Sequence, residues 1–236
     1  MNREPLVYRV HRLDLSFAPK PWAFAIEHRA EIDTYFAKLQ LEKPAVWNGR
    51  VLLLHSQIRV EGVFRGGYLE TDYASFAAWC HWGKPTAGKV HDCFSSAAIA
   101  TVDGAFLLGV MAPHTFNAGL AYFPGGTPDP TDIIDGKVDL EFSMRRELKE
   151  ETGLDAAEFS VEPGWTVVVD GSLIVQIKVL RSNQTAEVLR SRILDRLRTE
   201  KQPELSNIRI VRDSSDLDPA MLPFVKAFLA QRFAGG

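Results

Sequence analysis

Hydrophobic and polar positions alternate in short bursts through the first third of the chain, and the elements they predict are small. Residues 6–15 read as a strand ended by the Pro19-Lys20-Pro21 breaker. Residues 25–40 have helical character, with Ile26, Ala30, Tyr35, Phe36 and Leu39 near one face. Pro44 and Asn48-Gly49 punctuate the chain before a strand-like stretch at 51–60, and residues 72–80 read as a short helix. Residues 83–88, rich in Gly and Pro, make the best linker.

The pattern sharpens after Cys93. A strand over 94–102, an Asp103-Gly104 turn and a partner over 105–111 predict a hairpin. A short strand at 121–123 runs into Pro124-Gly125-Gly126. Residues 139–152 form a helix closed by Gly153 as a glycine cap. Strands at 161–169 and 172–180 flank Asp170-Gly171. A helix over 185–201, a strand over 208–211 and a last helix over 219–233 complete the chain. Strands interleaved with helices predict an α/β sandwich around a mixed sheet, with a small α+β unit in front of it. We expect an accessory unit over 1–90 and a main domain over 91–236.

The 236 residues are 46% apolar and 24% charged, a globular balance. Lys plus Arg total 27 against 30 Asp plus Glu, which leaves no basic footprint for nucleic acid. No apolar run nears the ~18 residues of a membrane span. The opening Met1-Asn2-Arg3-Glu4-Pro5-Leu6 lacks the apolar core of a secretory signal, so a cytoplasmic protein is expected. Cys80 and Cys93 are the two cysteines and form no zinc-type pair.

The helix over 139–152 carries the candidate chemistry. At 100° per residue, Glu151 falls about 20° from Met144, inside the stripe of Leu140 and Leu148, and Glu147 lies about 60° from it on the same edge. A carboxylate facing the core costs several kcal/mol without compensation, and neighbouring carboxylates raise one another's pKa. A divalent, oxygen-seeking cation removes both penalties, and Mg²⁺ (or Mn²⁺) held by carboxylates and substrate phosphates is the natural choice. Arg146, four residues before Glu150, is placed to pair with a neighbouring carboxylate.

Arg146-Glu147-Leu148-Lys149-Glu150-Glu151-Thr152-Gly153-Leu154 matches the second half of the Nudix box, R-E-U-x-E-E-x-G-U, and Phe123-Pro124-Gly125-Gly126 resembles its strand-to-loop entry. The resemblance covers Cys93 to the C-terminus. It implies a Nudix-type α/β/α sandwich and a metal-dependent pyrophosphohydrolase. The implied substrate is a small-molecule nucleotide, a nucleoside diphosphate linked to another moiety. It implies Glu147, Glu150 and Glu151 as metal ligands, with the Gly126 carbonyl as a fourth. Glu151, Glu147 and Arg146 are the implied catalytic set, with Glu204 or Glu151 as the base that activates water.

The front half departs from the box. The family expects Glu at 138 and Gly at 132, where this chain has Val138 and Asp132. With the glycines at 125 and 126, the loop is longer by about six residues. Glu141, Asp135 and Asp132 are the available substitutes, and the sequence does not choose among them.

Two subgroups share features with this stretch. Pro124-Gly125-Gly126-Thr127-Pro128-Asp129-Pro130, the segment 44–49 and Leu54-His55-Ser56 are similar to the UDP-sugar-hydrolysing type. The stretch from Phe116 to Asp132 is similar to the coenzyme A diphosphatase type. The first also accounts for the N-terminal part, so a nucleotide sugar is the expected substrate. A Nudix-fold binding module without turnover is the non-enzymatic alternative. The N-terminal unit is left to cover the pocket, to form a homodimer or to extend the sheet.

Other features carry less. The histidines at 11, 28, 55, 81, 91 and 114 lack ligand spacing, and only His114 falls near the expected pocket. The arginines of 190–198 alternate with acids, as on a solvated face. Tyr73, Trp79 and Trp82 read as core aromatics or as a stacking wall.

Overall fold

The computed structural model describes residues 4–44, 46–85 and 90–234. Residues 86–88 of the expected linker and residue 45 of the 44–49 segment lie outside the described residues. The first half runs β1 (Leu6–Val10), β2 (Arg12–Phe17), α1 (Ala23–Glu27), α2 (Arg29–Glu42), β3 (Arg50–Val60), β4 (Val63–Asp72) and α3 (Tyr73–His81). The second half opens with β5 (Asp92–Ala100), β6 (Phe106–Met111), β7 (Ala121–Tyr122), β8 (Gly125–Gly126), β9 (Ile133–Ile134) and β10 (Lys137–Val138). It closes with α4 (Leu140–Thr152), β11 (Ser160–Val161), β12 (Trp165–Asp170), β13 (Leu173–Arg181), α5 (Ala186–Leu197), β14 (Leu205–Val211) and α6 (Pro223–Ala234).

Two mixed sheets result, with helices packed on them, so the α/β class expected from the pattern holds. The first sheet is ordered β1-β12-β13-β5-β6-β14, with β13 and β5 parallel. The second is ordered β3-β4-β2-β10-β9, with β2 and β4 parallel. Met144 and Leu148 of α4, Ile193 of α5 and Phe224 and Phe228 of α6 share one core with the first sheet. Leu15, Leu54, Phe64, Cys93, Trp165 and Ile174 join strands of the two sheets in a second. A third joins α2 and α3 to the second sheet through Ile32, Phe36, Leu53, Leu69 and Trp79.

Two departures from the pattern matter. The single strand expected over 6–15 is two strands in two sheets, since the chain crosses between them at His11, whose N–H donates to the Gly62 carbonyl. The longer loop is not irregular throughout. Asp135 and Gly136, both with positive φ (49° and 74°), turn β9 into β10 as a tight hairpin, and β10 pairs with β2. The Leu52 N–H also donates to the Pro128 carbonyl at 2.8 Å. The extra residues thus dock onto strands from the first half of the chain.

Candidate active site

Helix α4 opens at Asp139, whose carboxylate accepts from the N–H groups of Glu141 and Phe142, and closes on Gly153 at φ 73°. Its buried face carries Leu140, Met144, Leu148 and Glu151, as the wheel requires. Glu151 is 5% exposed, while Glu150 points outward.

The paired-glycine turn lies against this helix. β8 pairs with Ser95 and Ser96 of β5. A Cβ at Gly125 would run into the Ser95 carbonyl, and one at Gly126 would lie 3.2 Å from the Glu147 carboxylate. No side chain fits at Gly125, and one at Gly126 would press on Glu147, so the backbone approaches the helix directly. The Gly125 N–H donates to Glu151 Oε1 at 2.9 Å and fixes the turn to the buried carboxylate.

Arg146 ties the acids together. Its Nη1 lies 2.7 Å from Glu147 and 3.2 Å from Glu150. Its Nη2 lies 3.0 Å from Asp132, which is wholly buried. Of the three substitutes left open for the missing glutamate, Asp132 is therefore the one that meets Arg146. Glu141 pairs with Arg145 instead, and Asp135 sits in the hairpin turn. Asp132 also accepts from the Asp129 N–H, and the two acids cap the short turn Pro130–Asp132 reciprocally.

Repulsion marks the site. Burial first, with Glu150 and Glu204 adding, pushes the Glu147 carboxyl up to about 7 even though Arg146 opposes the shift. Glu151 is raised well above its ordinary value by burial, with Glu147, Glu204 and Glu150 adding. Glu204, just ahead of β14, keeps exposed surface, and its carboxyl is raised by partial desolvation and by Glu150, with His114 opposing. His114 itself is an exposed loop residue. The Tyr122 hydroxyl is raised by burial and by the fields of Glu151, Glu204 and Glu147, and the ring lines the same cavity as Glu147 and Glu204. Sequence reasoning misses Tyr122 as a site residue. Its one signal there is a place in the short strand that leads into the paired glycines.

A cavity of about 500 Å³ opens beside these groups. Gly125, Gly126, Thr127, Glu147, Tyr122 and Glu204 line one end. Carboxylates and a backbone carbonyl are the donors that a hard divalent ion prefers, and the repulsion among the carboxylates is what such an ion relieves. The residue types fit Mg²⁺ or Mn²⁺. Among the described residues no three acidic, histidine or cysteine side chains already close around one point, and Arg146 bridges Glu147 and Glu150.

Neither protein-family models nor curated proteins give a match to the chain. Solved structures do. A Nudix hydrolase from Mycobacterium smegmatis aligns at 18% identity over 63% of this chain and 89% of its own, with a TM-score of 0.39. The MutT protein of Methanosarcina mazei aligns at 19% identity over 61% of this chain and 94% of its own, with a TM-score of 0.37. A Nudix family member from Chromobacterium violaceum aligns at 17% identity over 61% and 77%, with a TM-score of 0.36.

Proposed function

We propose that this chain is a divalent-metal-dependent pyrophosphohydrolase of the Nudix type. Its substrate is a nucleoside diphosphate linked to another moiety, and a nucleotide sugar such as a UDP-sugar is the expected one. The supporting observation is the repelling pair Glu147 and Glu151, set against a side-chain-free glycine turn at the acidic end of a cavity.

Glu147, Glu150, Glu151 and the Gly126 carbonyl would hold the ion. Bound there, Mg²⁺ neutralises diphosphate charge and makes a water more acidic. The chain's own residues do the rest. Arg146, anchored by Asp132, holds the Glu147 carboxylate in place. Glu151 keeps the glycine turn seated through the Gly125 N–H. Glu204 faces the cavity from the β14 side and takes the proton of the attacking water. Water oxygen joins one phosphorus, the bridging P–O bond breaks, and two phosphomonoesters leave.

The test is a panel of UDP-sugars, ADP-ribose, NADH and coenzyme A, each with Mg²⁺ and with chelator. UMP plus sugar phosphate, formed only with metal, is expected. Metal-dependent release of 3′,5′-phosphorylated adenosine would move the substrate to coenzyme A. Absence of hydrolysis across the panel would overturn the reading.

A further inference from the structure

The cavity has two unlike ends, and the second is built largely by the first half of the chain. Tyr73, Phe76, Ala77 and Cys80 enter it from α3 and Val51 from β3. Phe94, Leu222 and Phe224 line the same cavity, with the Phe94 and Phe224 rings edge to face at 6.0 Å. Tyr73 and Phe76 are half-buried, their ring centroids 6.1 Å apart, so each keeps free surface. Burial holds the Cys80 thiol neutral, and it adds to the apolar wall.

Phe116 also lines the cavity and is 53% exposed. Its loop is held from the N-terminal half as well. Lys43, just past α2, donates to the Thr115 carbonyl at 2.9 Å and lies 5.9 Å from the Phe116 ring centroid.

The polar groups of the walls are mostly engaged with one another. Asp92 takes Thr127 at 3.1 Å and Lys84 at 3.4 Å, and Asn117 donates to the Tyr122 hydroxyl at 3.3 Å. A hexose in the α3 end would bury hydroxyls against aromatic faces without partners, which is costly. A planar heterocycle carries its polar atoms on its edge and leaves its faces apolar. It offers a π-face to each wall and stacks without needing a fixed hydrogen-bond pattern.

We propose that Tyr73 and Phe76 of α3, together with Phe116, form the subsite for the nucleobase of the substrate. The N-terminal half of the chain then selects for a nucleotide rather than for the group beyond the diphosphate. This rests on the function proposed above, but its test does not require turnover. Calorimetric titration with UMP, AMP and glucose 1-phosphate reads the subsite directly, in the wild type, Phe76→Leu and Phe116→Ala. At least one mononucleotide is expected to bind ten times or more tighter than glucose 1-phosphate. Both variants are expected to weaken that mononucleotide about tenfold, the effect of losing one base–aromatic stack. Glucose 1-phosphate, lacking a base, should change little. Phe116 is exposed, so its removal leaves the core intact and keeps the test valid if Phe76→Leu unfolds. Equal binding of sugar phosphate and mononucleotide, no mononucleotide binding, or equal weakening of both ligand types would overturn the subsite. Absence of hydrolysis with normal nucleotide stacking would overturn the function and leave the subsite standing.

Discussion

Glu147 should make the metal-free protein less stable as pH rises. Its carboxyl is pushed up to about 7 in the folded chain, against an ordinary value near 4.5. The folded state therefore favours the proton-bound form. The stability this gives is complete below the ordinary carboxylate range and is lost as pH climbs through about 7. A shift of this size corresponds to about 3 kcal/mol, with the opposing pull of Arg146 already included. Glu147→Gln keeps the shape and removes the charge. In chelator at pH 8 the variant should melt about 6–12 °C above the wild type, given ~2–4 °C per kcal/mol for a chain of this size. At pH 4 the two should melt nearly together. Adding Mg²⁺ at pH 8 should raise the wild type and leave the variant nearly unmoved, because the ion binds the folded state through that carboxylate. Thermal unfolding followed by circular dichroism, with and without metal at both pH values, reads all of this. A variant that melts at or below the wild type in chelator at pH 8 would refute the idea of a strained, repelling cluster.

Two further substitutions probe the same site. Glu151→Gln retains an oxygen for the Gly125 N–H, so the fold should survive while kcat falls by about a thousandfold or more; wild-type turnover would remove Glu151 from the chemistry. Asp132→Asn leaves Arg146 without its buried counter-charge and should cost about 2–3 kcal/mol in urea unfolding, together with a fall in kcat. Unchanged kcat with lowered stability would make Asp132 a purely structural anchor.

Much of α4 is legible in the sequence, for physical reasons. A periodic stripe, an Asp at its start and a Gly at its end fix its extent, and the same stripe places Glu151 inward. The partners of that helix are harder to read. Asp132 lies fourteen residues before Arg146, and its burial depends on a loop whose path is set by β2 and β3. Asp135-Gly136 carries a hairpin signal, but strands of two residues leave no alternation to go with it. Strand β4 escapes the pattern because Gly66 and Gly67 break its apolar run, although there the small residues make room for Leu15, Leu54 and Ser56. Phe76 gives no sign of facing a cavity, and Tyr73 reads equally as core or as a stacking wall, since a half-buried ring and a core ring look alike in sequence.

The hand-over at His11 has a practical side. β1 caps one edge of the first sheet, while β2 lies between β4 and β10 in the middle of the second. Trimming the opening seventeen residues would thus bare β12 and also split its neighbour sheet down the centre, casting loose the hairpin that directly follows the Arg146 anchor. Tags and fusions belong ahead of Leu6, and a shortened form that begins at the sharper motif-bearing portion should be expected to aggregate.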